Sequence, residues 1–103
     1  MTIRFSAAAL RDLRAAARWI RRESPRAAKG LREAVQRAAI TIGNHPDIGV
    51  SRPDWTPLPF RFLVLTGYPY VIAYDVSVSP PVVARIAHAA RDLPKLFEAN
   101  QNR

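Results

Sequence analysis

The sequence predicts an α+β domain in the order β-α-α-β-β-β, with an N-terminal helical hairpin packed on a small, mostly antiparallel four-stranded sheet. Three observations predict it. Residues 7–42 hold two consecutive stretches with apolar residues at helical spacing. Residues 60–88 hold three runs in which side chains alternate with the period of a strand. Gly67 and the Ser77–Pro81 segment separate those runs by turns short enough for hairpins. Strands grouped after helices pack as segregated layers, not as alternating parallel units.

Each element has its own local reasons. Residues 2–5 alternate β-branched and aromatic residues with Thr and Arg, as a short strand does. Ser6 is the N-cap of a helix from Ala7 to about Glu23, rich in the helix formers Ala, Leu and Arg. On its helical wheel, Ala9, Leu10, Leu13, Ala16, Ala17 and Ile20 share an apolar face, while Arg11, Arg14, Arg18, Arg21 and Arg22 share a separate arc. Trp19 lies on the flank beyond the arginines. Ser24-Pro25 starts the second helix, an N-cap followed by Pro at the first helical position. That helix runs to about Ile42, with Ala28, Leu31, Val35, Ala38 and Ile42 as its buried stripe, and Gly43-Asn44 and Pro46 end it. Gly30 in its middle costs up to about 1 kcal/mol against Ala and calls for a close approach between the helices.

Gly43, Pro46, Gly49, Pro53, Pro57 and Pro59 leave no regular element in residues 43–59, which read as a structured loop long enough to suggest function. The next strand alternates Phe60, Phe62 and Val64 against Arg61, Leu63 and Leu65. The following one, to Val76, alternates Tyr70, Ile72 and Tyr74 against Val71, Ala73 and Asp75. The last, Val82 to His88, sets Val82, Ala84, Ile86 and His88 on one face and Arg85 on the other. Residues 91–97 read as a turn or short helical tail. The domain accordingly spans 1–97, and 98–103 fray. With helices on one side only, the other face of the sheet is open to a partner.

The totals narrow the class. A chain of 103 residues, about half of them hydrophobic, supports one core. It has no cysteine, which excludes disulfides and thiolate metal sites and suits a reducing compartment. Met1-Thr2-Ile3-Arg4-Phe5 lacks a signal-peptide pattern, and no apolar run reaches the ~20 residues that cross a bilayer, so a cytoplasmic location without a membrane partner is expected. Sixteen Lys and Arg against eight Asp and Glu leave +8, which attracts nucleic acid, an anionic surface or an acidic protein. Fourteen of those cations are Arg, so a compositional bias towards Arg and Ala is the alternative source of the excess.

Read together, several short motifs resemble the RelE/ParE superfamily of bacterial toxins, and within it the ParE branch. They are Ala9-Leu10-Arg11-Asp12-Leu13 with Trp19-Ile20, Pro25-Arg26-Ala27-Ala28, Pro46-Asp47-Ile48-Gly49, Phe60-Arg61, Tyr70-Val71-Ile72-Ala73-Tyr74 and His88-Ala89-Ala90-Arg91-Asp92-Leu93. No one of them is specific. Their order and spacing along nearly the whole chain carry the resemblance. It implies a toxin of a type II toxin–antitoxin system, a cognate antitoxin as partner in a hetero-oligomer, and one of two targets. ParE-like members poison DNA gyrase; RelE-like members cleave mRNA on the ribosome.

The candidate site residues follow from that choice. RNA cleavage needs proton transfer and stabilisation of charge on the phosphate. Arg61 and Arg91 are the candidates for charge and His88 for the proton. Against this, no Tyr follows Tyr74, His88 is followed by Ala89, and no Lys lies between Lys29 and Lys95, whereas RelE-like nucleases carry such groups. His88 reads more readily as a half-buried structural residue hydrogen-bonded near Asp92 or a loop carbonyl than as a catalytic one, with partner contact as a further reading; Arg61 reads alternatively as a solvated strand residue, and Arg91 with Asp92 as a pair or a cap of the tail. The partner-binding candidates are Arg11, Arg14, Arg18, Trp19, Arg22, Arg61, Arg91, Asp92, Lys95 and Phe97. The arginines would grip antitoxin carboxylates through their planar forks, Trp19 would anchor the contact, and the segment from Arg91 to Phe97 would contact gyrase. The alternative for the arginine stripe is a solvated face, and for Trp19 packing on a neighbouring loop. His45 and His88 are too few for a metal site, and no cofactor motif is present.

Overall fold

In the computed structural model, which describes the backbone of residues 3–101 and the side chains of residues 3–97, the elements are β1 (Arg4–Phe5), α1 (Ala7–Arg21), α2 (Pro25–Asn44), β2 (Val50–Ser51), β3 (Phe60–Val64), β4 (Tyr70–Asp75), β5 (Val82–His88) and α3 (Leu93–Gln101). The α+β class and the helical hairpin are as expected. The sheet has five strands rather than four, in the order β1-β5-β4-β3-β2. The extra strand falls inside the proline-rich loop, where Val50 and Ser51 pair antiparallel with Phe62 and Arg61. Two residues between Gly49 and Pro53 are enough to edge a sheet, because an edge strand needs only one side of its backbone bonded. β1 pairs parallel with β5, and every other pairing is antiparallel. Of the predicted first strand, residues 1 and 2 lie outside the described residues.

Both helices start as the sequence dictates. The Ser6 hydroxyl accepts the Ala9 N–H at 3.0 Å, and the Ser24 hydroxyl accepts the Ala27 N–H at 3.1 Å, with Pro25 in the first turn. α2 continues through Gly43 to Asn44, with His45 as its C-cap. Gly30 is explained by a side chain from the turn between β3 and β4, not by the first helix. A Cβ there would meet the Tyr68 hydroxyl, which donates to the Ala27 carbonyl at 3.1 Å.

The helices cover one face of the sheet. Ala9, Ala16 and Ala17 of α1 and Ala28, Leu31, Ala34, Val35, Ala39 and Ile42 of α2 pack with Leu65, Tyr70, Ile72, Tyr74, Val83 and Ile86. Burying each of the larger aliphatic side chains contributes about 1.5–3 kcal/mol. Leu10, expected on this face, sits at its rim and is partly exposed.

The second face is not open. Phe62, Val71, Ala73 and Ala87 are covered by Leu93 and Phe97, with Trp55 and Phe60 packed alongside. Phe97 is 1% exposed and stands edge-on to Phe62 at 5.3 Å between ring centres. α3 therefore closes the core, and its helical backbone runs to Gln101; 102 and 103 lie outside the described residues. Phe97 is excluded as a partner contact on the folded surface, because its ring fills this second core.

β5 departs from strict alternation. Tyr74 pairs with Val83 and Ala73 with Arg85, leaving Ala84 as an irregularity. Val83 and Ile86, not Val82 and Ala84, thus face the helices. The same shift brings Arg85 to α1. Its Nε and Nη2 donate to the two oxygens of Asp12 at 2.7 and 3.1 Å, and the Ile86 N–H donates to Asp12 at 2.9 Å. β1 is too short to cover this stretch of β5. Ser6 takes over, donating its N–H to Val83 and its hydroxyl to Ala84, both at 2.8 Å, and Asp12 completes the edge.

Replacing Asp12 with Ala strands a half-buried guanidinium and an edge N–H together. A loss of about 2–3 kcal/mol is expected in urea unfolding, against less than about 0.5 kcal/mol for Arg11→Ala on the outer face of the same helix.

Candidate functional site

Three regions hold the residues singled out in the sequence. The first is the loop after α2. Arg61 is half-buried on β3, with Nε donating to the Gly49 carbonyl at 2.7 Å and Nη2 to the Asp47 carbonyl at 3.0 Å. Tyr74, across the β3–β4 ladder from Arg61, donates its hydroxyl to Pro46 at 2.7 Å and accepts the Gly49 N–H at 2.8 Å. A Cβ on Gly49 would collide with the Tyr74 ring and the Phe62 carbonyl, so only glycine lets the loop come this close. Arg61 is thus a loop clamp rather than a solvated residue. On its far side the loop is tied by Arg52, which stacks on Trp55 at 3.8 Å and is forked by Asp54. The hydrogen bond from Arg52 holds the Asp54 carboxyl below its ordinary pKa.

The second region is the exit of β5. His88 Nδ1 accepts the Ala90 N–H at 3.0 Å, so its bonding partner is its own turn and not Asp92. Accepting at Nδ1 leaves the neutral ring with its proton on Nε2. The imidazole stands edge-on to Tyr70 at 5.2 Å. Burial pushes the Tyr70 phenol above its ordinary pKa, since the ionised form is poorly solvated there. Asp92 caps α3, its carboxylate accepting the Lys95 N–H at 3.2 Å. Arg91, Asp92 and Lys95 are exposed around this helix start. His88 and Arg91 line a groove of about 220 Å³ between α1 and β5, together with Asp12, Trp19 and Tyr70.

The third region is the outer face of α1. Arg11, Arg14, Arg18, Arg21 and Arg22 are exposed. Among the described residues, Arg11, Arg14 and Arg18 engage no ion pair or side-chain hydrogen bond. Like charges four apart cost about 0.2–0.5 kcal/mol per pair in a helix, and no ion pair among the described residues offsets them at Arg11, Arg14 or Arg18. Trp19 is 67% exposed and carries Arg22 over its ring at 5.3 Å.

The structure therefore brings His88 and Arg91 together but keeps Arg61 apart. Arg61 pairs with Tyr74, His88 with Tyr70, and β4 lies between them. Four residues along the strand and two strand spacings put them about 13 Å apart in one direction and about 10 Å in the other. No group of three His, Cys, Asp or Glu suited to a metal occurs among the described residues. Among the described residues, no helix is long and apolar enough to cross a membrane.

Sequence reasoning missed Asp12, Tyr70 and Tyr74 as organising groups, although all three lie within the motifs it quoted. β2 covers Arg61 and Phe62 only, so β3 is unpaired on that side from Leu63 onward among the described residues. Val64 is 68% exposed there, and Ile48, Leu63 and Leu65 line an adjoining groove of about 250 Å³ against Ala34 and Ala38 of α2.

Comparison with known proteins follows this geometry. The profile of a family described as the ParE toxin of the type II toxin-antitoxin system, parDE, matches residues 3–93. A solved structure, the chromosomal ParDE TA system from P. aeruginosa, contains a chain with a similar fold. Its TM-score is 0.70 at 20% sequence identity, over 85% of this chain and 95% of that one. Among curated proteins there is no match.

The clamp on the loop is testable. Gly49→Ala is expected to destabilise the chain by about 1–3 kcal/mol, and Tyr74→Phe to speed hydrogen exchange at the Gly49 amide. Unchanged exchange in Tyr74→Phe removes the clamp.

Proposed function

Because the chain belongs to the ParE toxin family of type II toxin–antitoxin systems, we propose that it arrests growth by binding DNA gyrase, without cutting RNA, and that a cognate antitoxin neutralises it. One observation carries the choice of target: the three residues required for cleavage do not converge. Arg61 directs Nε and Nη2 to the carbonyls of its own loop, and it lies at the opposite end of the sheet from His88. A phosphate held at His88 and Arg91 is out of reach of Arg61.

The gyrase contact in this reading uses Arg91 and Lys95, exposed beside the α3 start, with Asp92 holding that start in shape. The antitoxin uses the open edge of β3. An extended segment adds main-chain hydrogen bonds from Leu63 onward, and its apolar side chains enter the groove beside Ile48 and Val64. A net charge of +8 speeds capture of an acidic partner in the cytoplasm. The assembly is a toxin–antitoxin hetero-oligomer, with no cofactor in the mechanism.

His88 and Arg91 do share a groove, which makes a ribosome-dependent mRNA interferase the rival reading. A homologue that binds antitoxin without toxicity is the other. Purified chain at micromolar concentration is expected to inhibit supercoiling by gyrase, and Arg91→Ala with Lys95→Ala to weaken inhibition at least tenfold. Unchanged supercoiling rejects the target. Primer extension on translated messages is expected to show no codon-positioned cuts; cuts that vanish in His88→Ala establish the nuclease. Unimpaired growth on expression of the chain alone removes both toxic readings.

A further inference from the structure

The outer face of α1 joins two features that the gyrase reading does not use. Arg11, Arg14, Arg18 and Arg22 lie on one arc of the helix, and successive members are three or four residues apart. They advance about 4.5–6 Å per step, a straight row about 16 Å long. The one carboxylate on that half of the helix, Asp12, is committed to Arg85 and Ile86. The row ends beside Trp19, whose ring carries Arg22 and also walls the groove that contains Tyr70, His88 and Arg91. A line of guanidinium groups, without an ion-pair partner at Arg11, Arg14 or Arg18 among the described residues, thus leads to a cleft edged by three aromatic rings.

We propose that this face binds single-stranded nucleic acid, with phosphates along Arg11, Arg14, Arg18 and Arg22 and an unpaired base stacked beside Trp19. Each nucleotide supplies one negative charge and one flat π-face, which is what a cationic row next to exposed rings receives. An extended acidic peptide fits less well. Its successive side chains point to opposite sides, so a straight row of arginines meets every second carboxylate. A duplex satisfies the row but keeps its bases stacked internally, leaving Trp19 unused. Binding here is independent of which enzyme the toxin inhibits, so either idea can fail without the other.

The test is fluorescence anisotropy of the full chain with a labelled 20-nucleotide oligothymidylate, a 20-base-pair duplex and a 20-residue oligoglutamate, from 50 to 200 mM salt. The oligothymidylate is expected to bind tightest. Its log K should fall with log salt at a slope of about −3, the value for four phosphate contacts on a single strand. Arg14→Gln with Arg18→Gln should make that slope shallower by about 1.4 and weaken binding more than tenfold. Trp19→Ala should weaken oligothymidylate binding about tenfold with the slope unchanged, and barely affect the duplex. Thermal unfolding establishes that each variant folds, as substitutions on an exposed helix face should. Equal or tighter binding of oligoglutamate assigns the row to an acidic protein and overturns the inference. A preference for duplex that ignores Trp19→Ala, or a slope untouched by the double arginine variant, overturns it as well.

Discussion

The arrangement rests on one carboxylate at the edge of the sheet. β1 is two residues long and leaves most of β5 without a neighbour on its outer side. A bare edge is an energetic liability and an invitation to misassociation. Ser6 and Asp12 finish what β1 starts, so that Val83, Ala84 and Ile86 of β5 are satisfied in turn by the beginning of α1. Asp12 also receives Arg85 in a two-point fork. The helix is thereby fixed in position and rotation against the sheet. Its alanine face is driven into the core, and its arginine face is turned wholly outward.

A similar economy operates at the centre. β4 is buried along Tyr70–Tyr74, because α1 and α2 cover one of its faces and α3 with Trp55 the other. Tyr74 reaches through the helix-side core to hold Pro46 and Gly49, and Arg61 holds the same loop by two carbonyls. Neutral and cationic donors thus satisfy backbone groups that a proline-rich segment cannot pair by itself. The motif residues Asp12, Gly49, Arg61, Tyr74, His88 and Asp92 mostly act as architecture: each ends, caps or clamps an element. The surfaces proposed for other molecules are the unpaired part of β3, the α3 start and the outer face of α1.

These surfaces differ in chemistry, so one small domain can serve different partners at once. The β3 edge offers main-chain groups and apolar side chains. The α3 start offers a few cations on a capped helix. The α1 face offers a dense cationic row ending in aromatic rings. In the proposed reading, growth arrest through one surface and silencing through another need no chemical catalysis.

Helix starts, the apolar faces of both helices, the three longer strands and the helices-before-strands layout were legible in the sequence, because they follow from local capping and from the periods 3.6 and 2. The cationic arc and the exposed Trp19 were legible for the same reason. Family membership was legible from six weak motifs in order. The two-residue β2, the shift at Ala84 and the helical covering of the second sheet face were not, since each depends on a partner strand or core distant in sequence. Phe97 illustrates the limit. Its place on the chain marks it as a tail residue, and only the pocket left by Phe62, Phe60 and Leu93 decides that it is interior. The same holds for Arg61, Tyr74 and Asp12. Sequence supplied the polar groups, but the acceptors they satisfy are backbone atoms, which carry no residue-specific signal and come within reach only when the sheet has formed.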